Sequence, residues 1–318
     1  MFYSIRHVTR FRYSAPVYES VMEVRMQPRS EGLQRSYSFN LAVQPRARIY
    51  SYRDSLGNTV HYFDIPEDHR ELAITAEALV QLDAAPVPDR LEPSDWEFLT
   101  PERIPSDAFE MIFPSHFVRP TALLGELEKS MGAERRGDPL TMVRELNESI
   151  SRTFEYKPQS TRVDSTIDEA LASRQGVCQD FAHIFIAVLR NLQIPARYVS
   201  GYLYHRDGER GATADGATHA WVEAWMPGLG WLGFDPTNHR VASERHIRTA
   251  IGRDYADVPP TRGVLKGQAS TKLTVSVVVS PSEILPPEHE MVAEQTGEES
   301  ATQHAVSTSH EQAQQQQQ

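Results

Sequence analysis

From residue 1 to about residue 83 the chain alternates apolar and polar side chains, as in Thr59-Val60-His61-Tyr62-Phe63 and Leu72-Ala73-Ile74-Thr75. A period of two belongs to strands with one buried face, and Gly57-Asn58 offers a hairpin turn between two of them. Residues 1–85 are therefore expected to form a β-rich N-terminal domain. Between residues 86 and 120, seven prolines exclude a regular sheet or a long helix, so this stretch reads as a connection.

A helical period follows at Leu123-Leu124 and Leu127, and again at Met142, Val143, Leu146 and Ile150, so two helices are expected to open a second domain over residues 121–280. A third should run from about Gly176 to Leu192, with Phe181, Phe185, Val188, Leu189 and Leu192 on one face and Pro195 beyond its end. Alternation returns over residues 196–204, 218–226, 230–234 and 273–279, which predicts strands. The second domain is thus helices packed on an antiparallel sheet, an α+β fold. Residues 281–318 turn to Glu, Ser, Thr and Gln and close on five glutamines, too polar to offset the entropy of ordering, and are expected to be a disordered tail.

With 318 residues and 40% hydrophobic content the chain can bury a sizeable core, and its length suits two domains. The formal charge is -11, but the tail holds seven Glu and no Lys or Arg, so the folded part is nearly balanced. That argues against a nucleic-acid partner. Nine arginines in residues 1–60 are scattered through strand-like sequence and read as a solvated sheet face. No segment reaches the apolar length of a membrane span, and Met1 to Arg6 lacks the apolar run of a signal peptide, so no membrane partner and a cytoplasmic location are expected. Asp207, Glu209 and Asp215 lack calcium-loop spacing, and His205, His239 and His246 form no recognised ligand pattern, so neither a metal nor another cofactor is expected.

The single cysteine, Cys178, can form no intramolecular disulfide and no multi-thiolate metal site. It falls in the expected first turn of a helix, where the positive end of the dipole favours a thiolate. A lone cysteine before a helix is usually a small buried apolar residue, so its partners decide the matter. His219 opens the strand His219-Ala220-Trp221-Val222-Glu223, and Asp235 ends the next one. A cysteine nucleophile, a histidine base and an orienting aspartate are the parts of an acyl-transfer triad. Strand parity imposes a condition: His219 and Asp235 share a face only if Met226 pairs with Gly230 across a three-residue loop, or if a bulge at Gly228 or Gly230 restores the register.

Around this triad, Gln179 and Tyr156 are candidate partners for an oxyanion beside the Cys178 N–H. Trp221 is a candidate cleft wall, although alternating aromatics on a sheet more often pack the core. Asp180 suits helix stabilisation, and His183 suits a buried structural role better than catalysis.

Gly176-Val177-Cys178-Gln179-Asp180-Phe181-Ala182-His183, Thr218-His219-Ala220-Trp221-Val222-Glu223 and Gly230-Trp231-Leu232-Gly233-Phe234-Asp235-Pro236-Thr237-Asn238 resemble the nucleophile, histidine and aspartate blocks of the bacterial transglutaminase-like family. Ile194 to Tyr202 resembles the strand after its nucleophile, Thr166 to Leu171 fits the segment leading to the nucleophile, and Gly252 to Val258 fits the one after the triad. Asp54-Ser55-Leu56-Gly57-Asn58 fits a turn of the β-rich region that precedes the core in bacterial members. The resemblance spans roughly residues 1–280 and implies a papain-like transglutaminase core that works through a thioester on peptide, isopeptide or glutamine-side-chain amides. Hydrolysis is slightly favoured over amine transfer, because no acceptor site is recognisable. The alternatives are a crosslinking transglutaminase and a binding module that keeps the fold without turnover.

Overall fold

A computed structural model describes residues 1–205 and 217–283. The acidic loop residues Asp207, Glu209 and Asp215, and the tail from residue 284, lie outside the described residues.

The N-terminal sheet is built on β1 (Phe2–Val24), with β2 (Gln34–Gln44), β3 (Tyr50–Arg53), β4 (Thr59–Ile65) and β5 (His69–Leu82) in the order β2-β5-β1-β4-β3. Tyr3, Ile5, Phe11 and Tyr13 of β1 turn inward, as the alternation requires. On the other face, Arg6 pairs with Glu77 and Arg12 with Glu71, both exposed, which is the expected solvated face. Arg25 and Arg29 depart from that reading: their side chains are largely buried and turn toward Glu23 and Glu31.

Between the sheets, the proline-rich stretch carries only short helical turns, among them α1 (Ser106–Phe109). The second domain contains α2 (Ala122–Met131), α3 (Pro139–Thr153), α4 (Ile167–Ser173) and α5 (Cys178–Asn191). Thr121 caps α2 and Asp138 caps α3, each side chain accepting from backbone N–H groups of the first turn. A parallel bridge joins β6 (Glu155–Tyr156) to β7 (Gln175–Gly176) just before α5. Then β8 (Ala196–Leu203), β9 (His219–Met226), β10 (Gly230–Asp235), β11 (Arg240–Val241) and β12 (His246–Gly252) form an antiparallel sheet in the order β11-β10-β9-β8-β12. Helix α5 is buried on nearly every side, and its apolar residues share one core with Ala220, Val222 and Ala224 of β9. No helix among the described residues is long and apolar enough to cross a membrane.

The strand expected over residues 273–279 exists, but it does not join the second sheet. Both β13 (Thr261–Lys266) and β14 (Thr271–Pro281) return to pair with β1. β13 and β14 therefore extend the first sheet, paired along the two parts of β1. Alternation alone cannot say which sheet a strand joins.

β12 is an edge of the second sheet, and an edge strand leaves N–H and C=O groups unpaired. Two side-chain amides of the N-terminal domain fill these positions. Asn58 donates Nδ2 to Ile251 O at 2.8 Å and accepts Ile251 N at 2.8 Å. Gln34 donates Nε2 to Arg248 O at 2.8 Å and accepts Arg248 N at 2.8 Å. A shared ion network reinforces the junction: buried Glu223 binds Arg197 and Arg248, and Glu31 binds Arg29. Asn58→Ala would strip two buried backbone groups of β12 of their partners, so it should cost about 2–4 kcal/mol. Urea unfolding followed by tryptophan fluorescence checks this; an unchanged midpoint would show the amide to be dispensable.

Candidate active site

Cys178 is the first residue of α5 and is buried. Val177 occupies the N-cap, and its N–H donates to Asp180 Oδ2 at 2.9 Å, which also accepts the Thr161 hydroxyl at 2.5 Å. Gly176 permits this closure, since a Cβ there would stand 2.9 Å from Asp180 Cβ. Burial raises the Asp180 carboxyl to about 6, against the lowering effect of its two hydrogen bonds. Gln179 donates Nε2 to Val163 O at 2.9 Å and is buried. One N–H of its amide is thus committed to the preceding loop, and the second N–H of the same NH2 remains as a donor. Tyr156 is half-buried, bridges Gly176 and lies parallel to the Phe181 ring at 6.4 Å, a packing role.

The β9–β10 register is the one that strand parity demanded: Met226 pairs with Gly230 across Pro227, Gly228 and Leu229. Gly228 and Gly230 have φ of +71° and +74°, which glycine adopts without strain. His219 and Asp235 consequently meet, with Nε2 2.8 Å from Oδ2, and both are buried. Since Nε2 is committed to Asp235, the nitrogen left for the sulfur is Nδ1, which is buried and has no hydrogen-bond partner among the described residues. Burial alone would lower the His219 pKa, but the Asp235 charge, with its hydrogen bond and the neighbouring Cys178 thiol, raises it to about 10. The carboxyl of Asp235 moves the other way: burial would raise it, but His219 and then His246 hold it well below the usual range.

Trp221 is 1% exposed, so it is not a cleft wall. Its indole lies against two bare positions on the flanking strands: a Cβ on Gly201 would meet Cη2 at 2.7 Å, and one on Gly233 would meet Nε1 at 3.5 Å. The His219 ring stacks on it at 6.0 Å and 26°, so Trp221 supports the imidazole from the core side. His183 follows its structural reading. Its Nε2 accepts Tyr255 N at 3.1 Å, its ring stacks on Phe117, and burial lowers its pKa to about 4.

Sequence reasoning set His246 aside, yet it stands in the site: its Nε2 lies 3.2 Å from Asp235 Oδ2. Spacing along the chain could not reveal this, because β12 is separated from β9 by β8. The ligand atoms of His219, Asp235 and His246 lie within 4.8 Å of one another, so they are the residues that could approach a metal ion. The two His–Asp contacts, at 2.8 and 3.2 Å, have hydrogen-bond lengths, and through them the carboxylate orients both imidazoles. A cavity of about 250 Å³ lies at the far end of α5, lined by Ala187, Arg190 and Gln193, and contains none of the triad.

A cysteine at a helix start, set against a histidine and an aspartate on adjacent antiparallel strands, defines the papain-like α+β class. Within it, the chain belongs to the transglutaminase-like superfamily, which it matches over residues 129–236, and residues 3–81 match the bacterial transglutaminase-like N-terminal region. It is 34% identical over 279 residues to the uncharacterized protein ML0607 of Mycobacterium leprae, covering 86% of this chain and 96% of that one. Over 98 residues it is 39% identical to a protein-glutamine gamma-glutamyltransferase of Pseudomonas aeruginosa, covering 29% of this chain and 14% of that protein. Among solved structures, a candidate cysteine protease of Cytophaga hutchinsonii shares the fold, with a TM-score of 0.72 and 24% identity over 90% of this chain and 93% of that one.

Proposed function

We propose that the protein is a cysteine-dependent amide acyl-transfer enzyme acting on peptide, isopeptide or glutamine-side-chain amides. The observation that carries this reading is the placement of His219 between Asp235 and the Cys178 thiol, with a pKa of about 10 that keeps the imidazole charged at neutral pH. The nucleophilic form of a cysteine is its thiolate.

In the proposed cycle the Cys178 sulfur attacks the amide carbonyl, and the negative oxygen accepts the Cys178 backbone N–H. His219 then gives its proton to the leaving nitrogen, the C–N bond breaks, and a thioester remains on Cys178. An incoming water or amine loses its proton to His219 and attacks the thioester, returning the thiol and releasing an acid or a new amide. Asp235 keeps the ring oriented and offsets its charge throughout. Hydrolysis is slightly favoured, because the sequence offers no recognisable acceptor site. Transfer to an amine stays a second reading, supported by the likeness of 98 residues to the Pseudomonas aeruginosa gamma-glutamyltransferase.

Alkylation by iodoacetamide tests the nucleophile without a known substrate. Cys178 should label quickly near pH 6, and His219→Ala should slow it about tenfold or more at that pH. Equal, slow labelling of both proteins would favour a binding module. Incubation with peptide mixtures should then add an acyl mass to Cys178, and added amines should shorten its lifetime if transfer operates.

A further inference from the structure

We infer that His246 is a positioning residue of the triad, a second imidazole that holds Asp235 in place for His219. The inference rests on the triad reading above, but its geometry is separate. His246 opens β12 and is buried. The backbone N–H of Ser243 donates to its Nδ1 at 3.2 Å, so that nitrogen carries a lone pair and the ring proton sits on Nε2. Nε2 in turn faces Asp235 Oδ2 at 3.2 Å as a donor. Burial lowers the His246 pKa, in keeping with a neutral ring of fixed tautomer.

Asp235 Oδ2 therefore receives His219 Nε2 at 2.8 Å, Asn238 Nδ2 at 2.8 Å and His246 Nε2 at 3.2 Å. A carboxylate gripped by three donors on one oxygen has little freedom to turn away from His219. A second contact works in the same direction. The His246 ring packs edge-on against Trp221 at 5.2 Å and 72°, and Trp221 is the surface on which His219 stacks. The N-terminal domain completes the support, because Gln34 and Asn58 fix the free edge of β12, the strand that delivers His246. A buried histidine that merely filled space would need neither the Ser243 lock nor a carboxylate partner.

Two substitutions separate positioning from packing. His246→Leu keeps most of the volume and removes the donor, whereas His246→Gln restores an N–H donor toward Asp235 and an acceptor toward Ser243. At pH 6 the leucine variant should alkylate at Cys178 roughly ten- to a hundredfold more slowly, the range commanded by hydrogen-bond partners behind a site, and the glutamine variant should recover most of the rate. The His219 ring N–H bonded to Asp235 should give a downfield proton resonance in the parent and the glutamine variant, and exchange faster with water in the leucine variant. Leucine labelling at the parental rate with that resonance intact would overturn the inference, as would glutamine as slow as leucine. Nitrogen NMR of the unsubstituted protein decides the matter even if the leucine variant does not fold. His246 must appear as the Nε2–H tautomer near neutral pH, and an Nδ1–H or doubly protonated ring would overturn the proposal. Should His219→Ala label at the parental rate, the reading of Cys178 fails, while the His219 resonance still decides the role of His246.

Discussion

Asp235→Ala should slow acylation of Cys178 about 10³- to 10⁴-fold, the scale of losing the orienting acid of a triad, and destabilise the fold by about 3–5 kcal/mol. The two effects share a cause. Asp235 is fully buried and accepts five hydrogen bonds: Thr237 N and Asn238 N on Oδ1, and His219, His246 and Asn238 Nδ2 on Oδ2. Alanine leaves all five donors facing an apolar methyl. Asparagine should be almost as harmful, because whichever way its amide turns, an NH2 meets N–H groups that need an acceptor. Urea unfolding and iodoacetamide kinetics on the two variants check both halves. Stability within about 1 kcal/mol of the parent would show that the donors find other partners.

Stability should peak near pH 6.5 and fall on both sides, steeply toward acid. Burial lowers His7 to about 3 and His61 and His183 to about 4, and it also lowers His246. Unfolded histidines take up their proton near pH 6.5, so as pH falls toward 4 the unfolded chain binds more protons and stability is lost. Asp180 opposes this. Its folded pKa is raised to about 6, so its contribution is complete below the unfolded value of 3.8 and is lost as pH rises through 6, which offsets one histidine. His7, His61 and His183 less Asp180 give a net uptake on unfolding of about two protons, or roughly 3 kcal/mol per pH unit near pH 5. Against an ordinary total of about 5–15 kcal/mol, that slope should remove a large part of the stability by pH 4. On the alkaline side His219 governs: its stabilisation is complete below 6.5 and is lost as pH rises through about 10. Denaturation midpoints between pH 4 and 10 give both slopes, and His219→Ala should flatten the alkaline limb. A flat profile below pH 6.5 would mean that the buried histidines are hydrated.

Local pattern made much of this molecule readable. The period of Phe181, Phe185 and Val188 marked α5, and parity across Pro227, Gly228 and Leu229 placed His219 beside Asp235 before any coordinates. What stayed hidden depends on which strands become neighbours. Residues 273–279 alternate as any strand does, and only the free backbone of β1 claims them for the first sheet. His246 reaches Asp235 by crossing β8, a relation that chain spacing does not carry. Trp221 looked equally suited to wall or floor, and the bare Gly201 and Gly233 on its flanks decided for the floor. Gln179 has the chemistry of an oxyanion donor, and what chain spacing does not carry is that one of its two amide hydrogens is held by Val163 O.

The long pairing of β14 with β1 bears on how the chain is made. Tyr13 of the first strand must wait for Thr271, and Tyr3 for Pro281. Until residue 281 has left the ribosome, the opening strand presents a naked hydrogen-bonding margin to every nascent neighbour, the kind of surface that recruits foreign strands. Translation that stalls or terminates before residue 271 would release a polypeptide whose helices and triad are all synthesised, yet which is committed to aggregation.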